Sequence, residues 1–114
     1  MNPFEVPSVS VDDLPSGALL LDVREDEEWT AGHIDGARHV PMNRVPTTVA
    51  YDGGVFPADQ PIVVVCKMGG RSAAVTAWLA RNGYDARNLD GGMLAWARAG
   101  HPMVSESGRA PVVA

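Results

Sequence analysis

The run Pro61-Ile62-Val63-Val64-Val65-Cys66 limits what this chain can become more than any other segment. It is β-branched, uniformly apolar and too short for an ordinary helix, so it reads as a central strand. None of its side chains is polar, so none is suited to face water, and both faces of the strand need a cover. Ala18 to Val23 reads ALLLDV and shares the pattern. Longer amphipathic stretches separate the apolar runs. Alternation of this kind predicts an α/β fold, a single domain whose central, mostly parallel sheet carries helices on both faces. Ligands of such sheets bind beyond the C-terminal ends of the strands. Asp22 to Arg24 and Cys66 stand at two such ends and are expected to open on one edge.

The remaining elements follow from local signals. Val6 to Val9 reads as a short opening strand, confined to an edge by Pro7. Ser10 is placed to cap a brief helix through Asp13 and Leu14, closed by Pro15 to Gly17. A short acidic helix is expected from Glu25 to Thr30, its EDEE start suiting the positive end of a helix. Ala37 to Val40 reads as a strand ending at Pro41. From Met42 to Pro61, Gly53-Gly54 and the prolines break any period, around a helix near Arg44 to Ala50. Met68 to Arg71 forms a turn, and Ser72 opens a helix to about Asn82. In it Val75, Trp78, Leu79 and Asn82 fall at helical spacing, with Gly83 as C-cap. Tyr84 to Leu89 gives a last strand, and Gly91-Gly92 leads into a helix through Trp96 that stops at Gly100. A length of 114 residues suits one domain. We assign it residues 1–102 and expect 103–114, small, polar and without period, to form a mobile tail.

Totals exclude several functions. A net charge of -5 opposes non-specific attraction to nucleic acid or acidic lipid. No apolar run approaches the roughly 20 residues that cross a bilayer. Met1 to Val11 has no basic region followed by a long apolar stretch, so no secretory signal is expected. One cysteine forms neither an internal disulfide nor a cysteine-based zinc site, and three scattered histidines lack metal spacing. A reducing, cytoplasmic setting is the simplest expectation.

The chemistry concentrates in Cys66-Lys67-Met68-Gly69-Gly70-Arg71-Ser72. Cysteine attacks as the thiolate, and an unperturbed pKa of about 8.5 leaves little of it at neutral pH. A helix N-terminus, the cations Lys67 and Arg71, and a Gly69-Gly70 bend that turns amides inward would each favour the anion. A lone cysteine is more often a small buried apolar residue, and a Gly-Gly pair is as often a plain turn. The combination reverses those odds.

At these residues the sequence resembles the rhodanese family. Cys66 to Arg71 spans six residues, as the family's active-site loop does, with Gly69, Arg71 and Ser72 matching. Leu21-Asp22-Val23-Arg24 followed by Glu28-Trp29 resembles its "DVR" strand end, and Gly32-His33-Ile34 with Gly36-Ala37 its "GHI-x-GA" turn. Leu89-Asp90-Gly91-Gly92, Trp96 and Gly100-His101-Pro102 resemble its C-terminal signature. The resemblance covers about Val6 to Pro102. It implies a thiosulfate sulfurtransferase in which Cys66 takes a sulfane sulfur as a persulfide and passes it to a thiol, a protein thiol included, or to cyanide. It further implies that Lys67, Met68, Gly69, Gly70, Arg71 and Ser72 bind the anionic donor, and that neither metal nor organic cofactor is needed. Lys67-Met68 departs from the Arg-Ser or Arg-Thr pair common there, which leaves the donor open, although Lys67 favours thiosulfate over mercaptopyruvate.

Asp22 and Arg24 are expected to support the site by fixing the adjoining loop rather than to react. His33 is read as a turn-stabilising residue, not a base for Cys66, and Trp29, Trp78 and Trp96 as core residues. Glu28 is read as part of a solvated helix start with a structural bond. Two other functions compete. A phosphatase or arsenate reductase would use a similar anion loop, but the phosphatases have five residues between cysteine and arginine where four intervene here. A non-catalytic interaction module of the same fold would commonly have lost the cysteine or the loop charges, and both persist.

Overall fold

The computed structural model describes residues 5–51 and 56–114. Gly53-Gly54, invoked above as a break, and residues 1–4 lie outside them. Among the described residues five strands appear: β1 Ser8–Val9, β2 Leu19–Asp22, β3 Arg38–His39, β4 Ile62–Val65 and β5 Ala86–Leu89. They form one sheet in the order β1-β5-β4-β2-β3, every pair parallel. Four α-helices of the described residues accompany it: α1 Asp26–Ala31, α2 Val45–Tyr51, α3 Gly70–Arg81 and α4 Gly92–Arg98, with a 3-10 turn at Met42–Arg44.

The absence of polar alternation in β2 and β4 has the expected cause: there are two cores. Leu21, Val23, Ile62, Val64 and Cys66 meet Val45, Val75 and Leu79 of α2 and α3 on one face. Val63, Val65, Leu89 and the half-buried Leu20 meet Met93 and Trp96 of α4 on the other. All four β4 side chains are fully buried, and each contributes about 1.5–3 kcal/mol by leaving water.

Differences from the sequence reading are local. Residues 10–14 form a turn rather than a helix, Ser10 accepting the Asp13 N–H at 3.1 Å through its carbonyl and the Asp12 N–H at 3.3 Å through its hydroxyl. So short a segment gains too few helical bonds to repay nucleation. The edge strand shrinks to two residues beside Pro7, whose carbonyl still accepts the Asn88 N–H at 2.7 Å. Helix α3 starts at Gly70, two residues before Ser72.

Residues 103–114, expected as a mobile tail, pack on α1 and the turn after it. Val104 and His33 exchange backbone bonds of 2.8 and 2.9 Å, Glu106 N–H reaches the Thr30 carbonyl, and Val112 N–H the Ala31 carbonyl. Met103 and Val113 close the α4-side core. The segment bonds to the end of another element and forms none of its own, so no periodicity announces it.

Candidate active site

Strands β2 and β4 run parallel in register, Asp22 opposite Val65, and the Val23 N–H donates to the Val65 carbonyl at 2.9 Å. Asp22 to Arg24 and Cys66 therefore emerge on one sheet edge. Cys66 is 1% exposed, and the chain after it curls back over its sulfur. The Gly69 N–H points at Sγ from 3.1 Å and the Ser72 hydroxyl from 3.2 Å. Gly69 makes the curl at φ +110°, in the region glycine favours. Gly70 needs no such freedom: it begins α3, and a Cβ there would meet open space. The bend thus rests on one glycine rather than two.

Burial pushes the Cys66 thiol up, but the Ser72 hydroxyl and the N–H groups of Ser72, Gly69 and Met68 outweigh it, and the thiol lies below its ordinary value. Among the influences that lower it, hydrogen bonds from the loop lead, not the two cations that the sequence suggests. Arg71 is engaged elsewhere. It donates to both carboxylate oxygens of Glu28, at 2.7 and 2.9 Å. That pairing holds Glu28 at about 2. Lys67 is half-buried, Met68 is 69% exposed at the loop tip, and Ser72 is fully buried.

Asn88 of β5 is a site neighbour that the sequence reading missed. Its Nδ2 donates to the Gly69 carbonyl at 3.1 Å, and its Oδ1 lies 2.5 Å from Ser72 Oγ, where it is the alternative to Sγ as acceptor of the single hydroxyl proton. The adjacent polar residues Arg87 and Asn88 between Ala86 and Leu89, only one of which can face outward from a strand, were the available signal. The other side of the loop is held by α4, whose Met93 and Leu94 N–H groups donate to the carbonyls of Cys66 and Lys67 at 2.8 and 3.1 Å. A Cβ on Gly92 would lie 2.3 Å from the Cys66 carbonyl oxygen, so only glycine lets that helix end approach.

Asp22 and Arg24 are buried together. Arg24 donates to the carboxylate through Nε and Nη2, at 3.0 and 2.8 Å, and Nη2 continues to the Gly32 carbonyl at 2.7 Å. These bonds tie the end of β2 to the turn after α1, and none of them reaches Cys66. His33 contacts the Ile34 carbonyl and Glu106, and His39 the Arg24 carbonyl, so neither bonds the sulfur. Trp29 stacks on both histidines, at ring separations of 3.5 and 4.7 Å.

The site is thus a cysteine at the C-terminal edge of a parallel α/β sheet, seated in a loop whose amides turn toward its sulfur. The profile of the Rhodanese-like domain matches residues 10–99, and the chain belongs to that family. It is 37% identical over 91 residues to a protein named sulfurtransferase from Allochromatium vinosum, covering 79% of this chain and 81% of that one. It is 34% identical over 96 residues to thiosulfate sulfurtransferase GlpE of Pseudomonas aeruginosa, covering 83% of each. A crystal structure of a rhodanese-related protein from Thermoplasma volcanium superposes with a TM-score of 0.74 at 28% identity, over 86% of this chain and 97% of that chain.

Proposed function

We propose that this chain is a rhodanese-type sulfurtransferase that moves a sulfane sulfur from thiosulfate, or a similar donor, through a persulfide on Cys66. The relatives' names support sulfur transfer, and the cradle of donors around Sγ is the observation that carries the step to Cys66. The Cys66 thiolate attacks the outer sulfur of the donor. A bond forms between Sγ and that sulfur, the sulfur–sulfur bond of thiosulfate breaks, and sulfite leaves with the electron pair. The terminal sulfur then carries the negative charge, which loop N–H groups offset as an oxyanion hole does. An acceptor thiolate or cyanide attacks that sulfur and returns the electron pair to Sγ. Cys66 is the only cysteine of the chain, so no second thiol can resolve the persulfide internally and the acceptor is a separate molecule.

The test is intact mass after incubation with thiosulfate. One added sulfur is expected, removed by cyanide and absent from Cys66→Ser. A wild-type mass that does not change would overturn the reading, and so would an adduct that survives in Cys66→Ser.

A further inference from the structure

The loop composition offers an incoming donor two cations, Lys67 and Arg71, but the fold commits one of them. Both terminal nitrogens of Arg71 are bound to Glu28, and Oε1 of that carboxylate also accepts the Glu25 N–H at 3.0 Å. Three donors hold the carboxylate in place, two from Arg71 of α3 and one from Glu25, which caps α1. The pair is only partly open to water, Glu28 being 18% and Arg71 36% exposed, so solvent screens it less than a surface contact. Glu28 remains ionised through the neutral range. Arg71 is close enough to Cys66 to sense its charge. Whatever Arg71 would offer a donor beside that sulfur, Glu28 largely cancels. Lys67 makes no side-chain hydrogen bond or ion pair among the described residues.

We propose that Glu28 is a specificity-determining residue: by engaging Arg71 through both oxygens it withdraws one of the two loop cations from the donor. The site then discriminates less between dianionic thiosulfate and sulfane donors of lower charge, such as persulfides of small thiols, than its loop sequence implies. The donor class rests on the sulfur-transfer reading, while the charge seen at Sγ does not.

A pair of alkylating reagents measures that charge directly. The same thiolate attacks the CH2 carbon of iodoacetate or iodoacetamide and displaces iodide; the two reagents have nearly the same size, but only iodoacetate is an anion. The ratio of their rates at Cys66 therefore cancels both thiol ionisation and changes in packing, which a merely structural Glu28 would alter. At low ionic strength we expect Glu28→Gln to raise the iodoacetate-to-iodoacetamide ratio about fivefold. The gain should vanish in about 0.5 M salt, and adding Arg71→Gln should return the ratio to the wild-type value or below. An unchanged or lower ratio in Glu28→Gln overturns the inference, as does a gain that persists in the double variant. Wild-type protein that reacts with both reagents but takes no sulfur from thiosulfate would defeat the sulfur-transfer reading alone. A thiol that neither reagent reaches would overturn both, because no donor could then meet the sulfur.

Discussion

The loop from Cys66 to Ser72 and the segment from Met103 to Val113 are both irregular, yet they are held in different ways. The loop is gripped from inside the fold: β5 holds it through Asn88 and α4 through the N–H groups of Met93 and Leu94. The C-terminal segment is held from outside, by backbone bonds to Thr30, Ala31 and His33 and by a Glu106–His33 contact of 3.0 Å. Each has one glycine at its point of closest approach. Gly92 stands where α4 meets the loop, and Gly32 where α1 meets the C-terminal segment. Displacing the loop means moving the cores; displacing the segment exposes a seam and leaves the sheet intact.

The two glycines provide the sharpest way to break this comparison. In Gly92→Ala, a Cβ would lie 2.3 Å from the Cys66 carbonyl oxygen and 2.7 Å from the Lys67 carbonyl, on a backbone at φ +58°. Both neighbours are backbone atoms pinned to the site, so neither can swing aside. We expect a loss of about 3 kcal/mol or more in denaturant unfolding, with strongly reduced alkylation of Cys66. Stability within about 1 kcal/mol of wild type would show that the loop yields as easily as the segment. In Gly32→Ala the Cβ would lie 2.4 Å from the Val112 carbonyl oxygen and 2.7 Å from the Met103 methyl. Gly32 is extended at φ 174°, so its own backbone tolerates alanine and the segment must move instead. The expected cost is about 1–2 kcal/mol. Hydrogen exchange should speed up at Val104, Glu106 and Val112 while Cys66 alkylation holds. Slow exchange there together with lost thiol reactivity would mean that the strain passes to the site.

Much of this was legible in the sequence. Ala18 to Val23 and Pro61 to Cys66 announced strands covered on both faces, because uniform apolarity leaves no side for water. The parallel sheet then put Asp22 to Arg24 and Cys66 on one edge. Pairings across the chain were not legible. A structural bond is expected of Glu28, but its partner Arg71 lies 43 residues away and nothing local names it. The loop cations suggested the cause of thiol ionisation, whereas hydroxyl and amide donors lead it. Such donors depend on how the backbone curls, which residue types state only indirectly. The seam under residues 103–114 escaped for a related reason, since backbone bonds to a turn leave no trace in side-chain pattern.

The smallest expected effect concerns the pair that joins α1 to the loop. Glu28 holds its proton off until about 2 in the fold, against an ordinary 4.5, chiefly because Arg71 donates to it. Between those values the unfolded chain binds a proton that the folded chain does not, so acid favours unfolding across that window. The contribution of Glu28 is present above about 4.5 and lost as pH falls toward about 2. Allowing for partial exposure, it amounts to about 1–2 kcal/mol. Glu28→Gln has no carboxyl to titrate there, so its stability should fall less steeply than wild type between those pH values in parallel denaturant series. Because the pair anchors the loop and not the C-terminal segment, exchange at Val104 and Val112 should follow the same acid profile in both proteins. Equal slopes for the two proteins would mean that the Arg71 contact contributes nothing to the fold. A difference confined to the segment would reverse the comparison, placing the anchoring carboxylate on the outside seam.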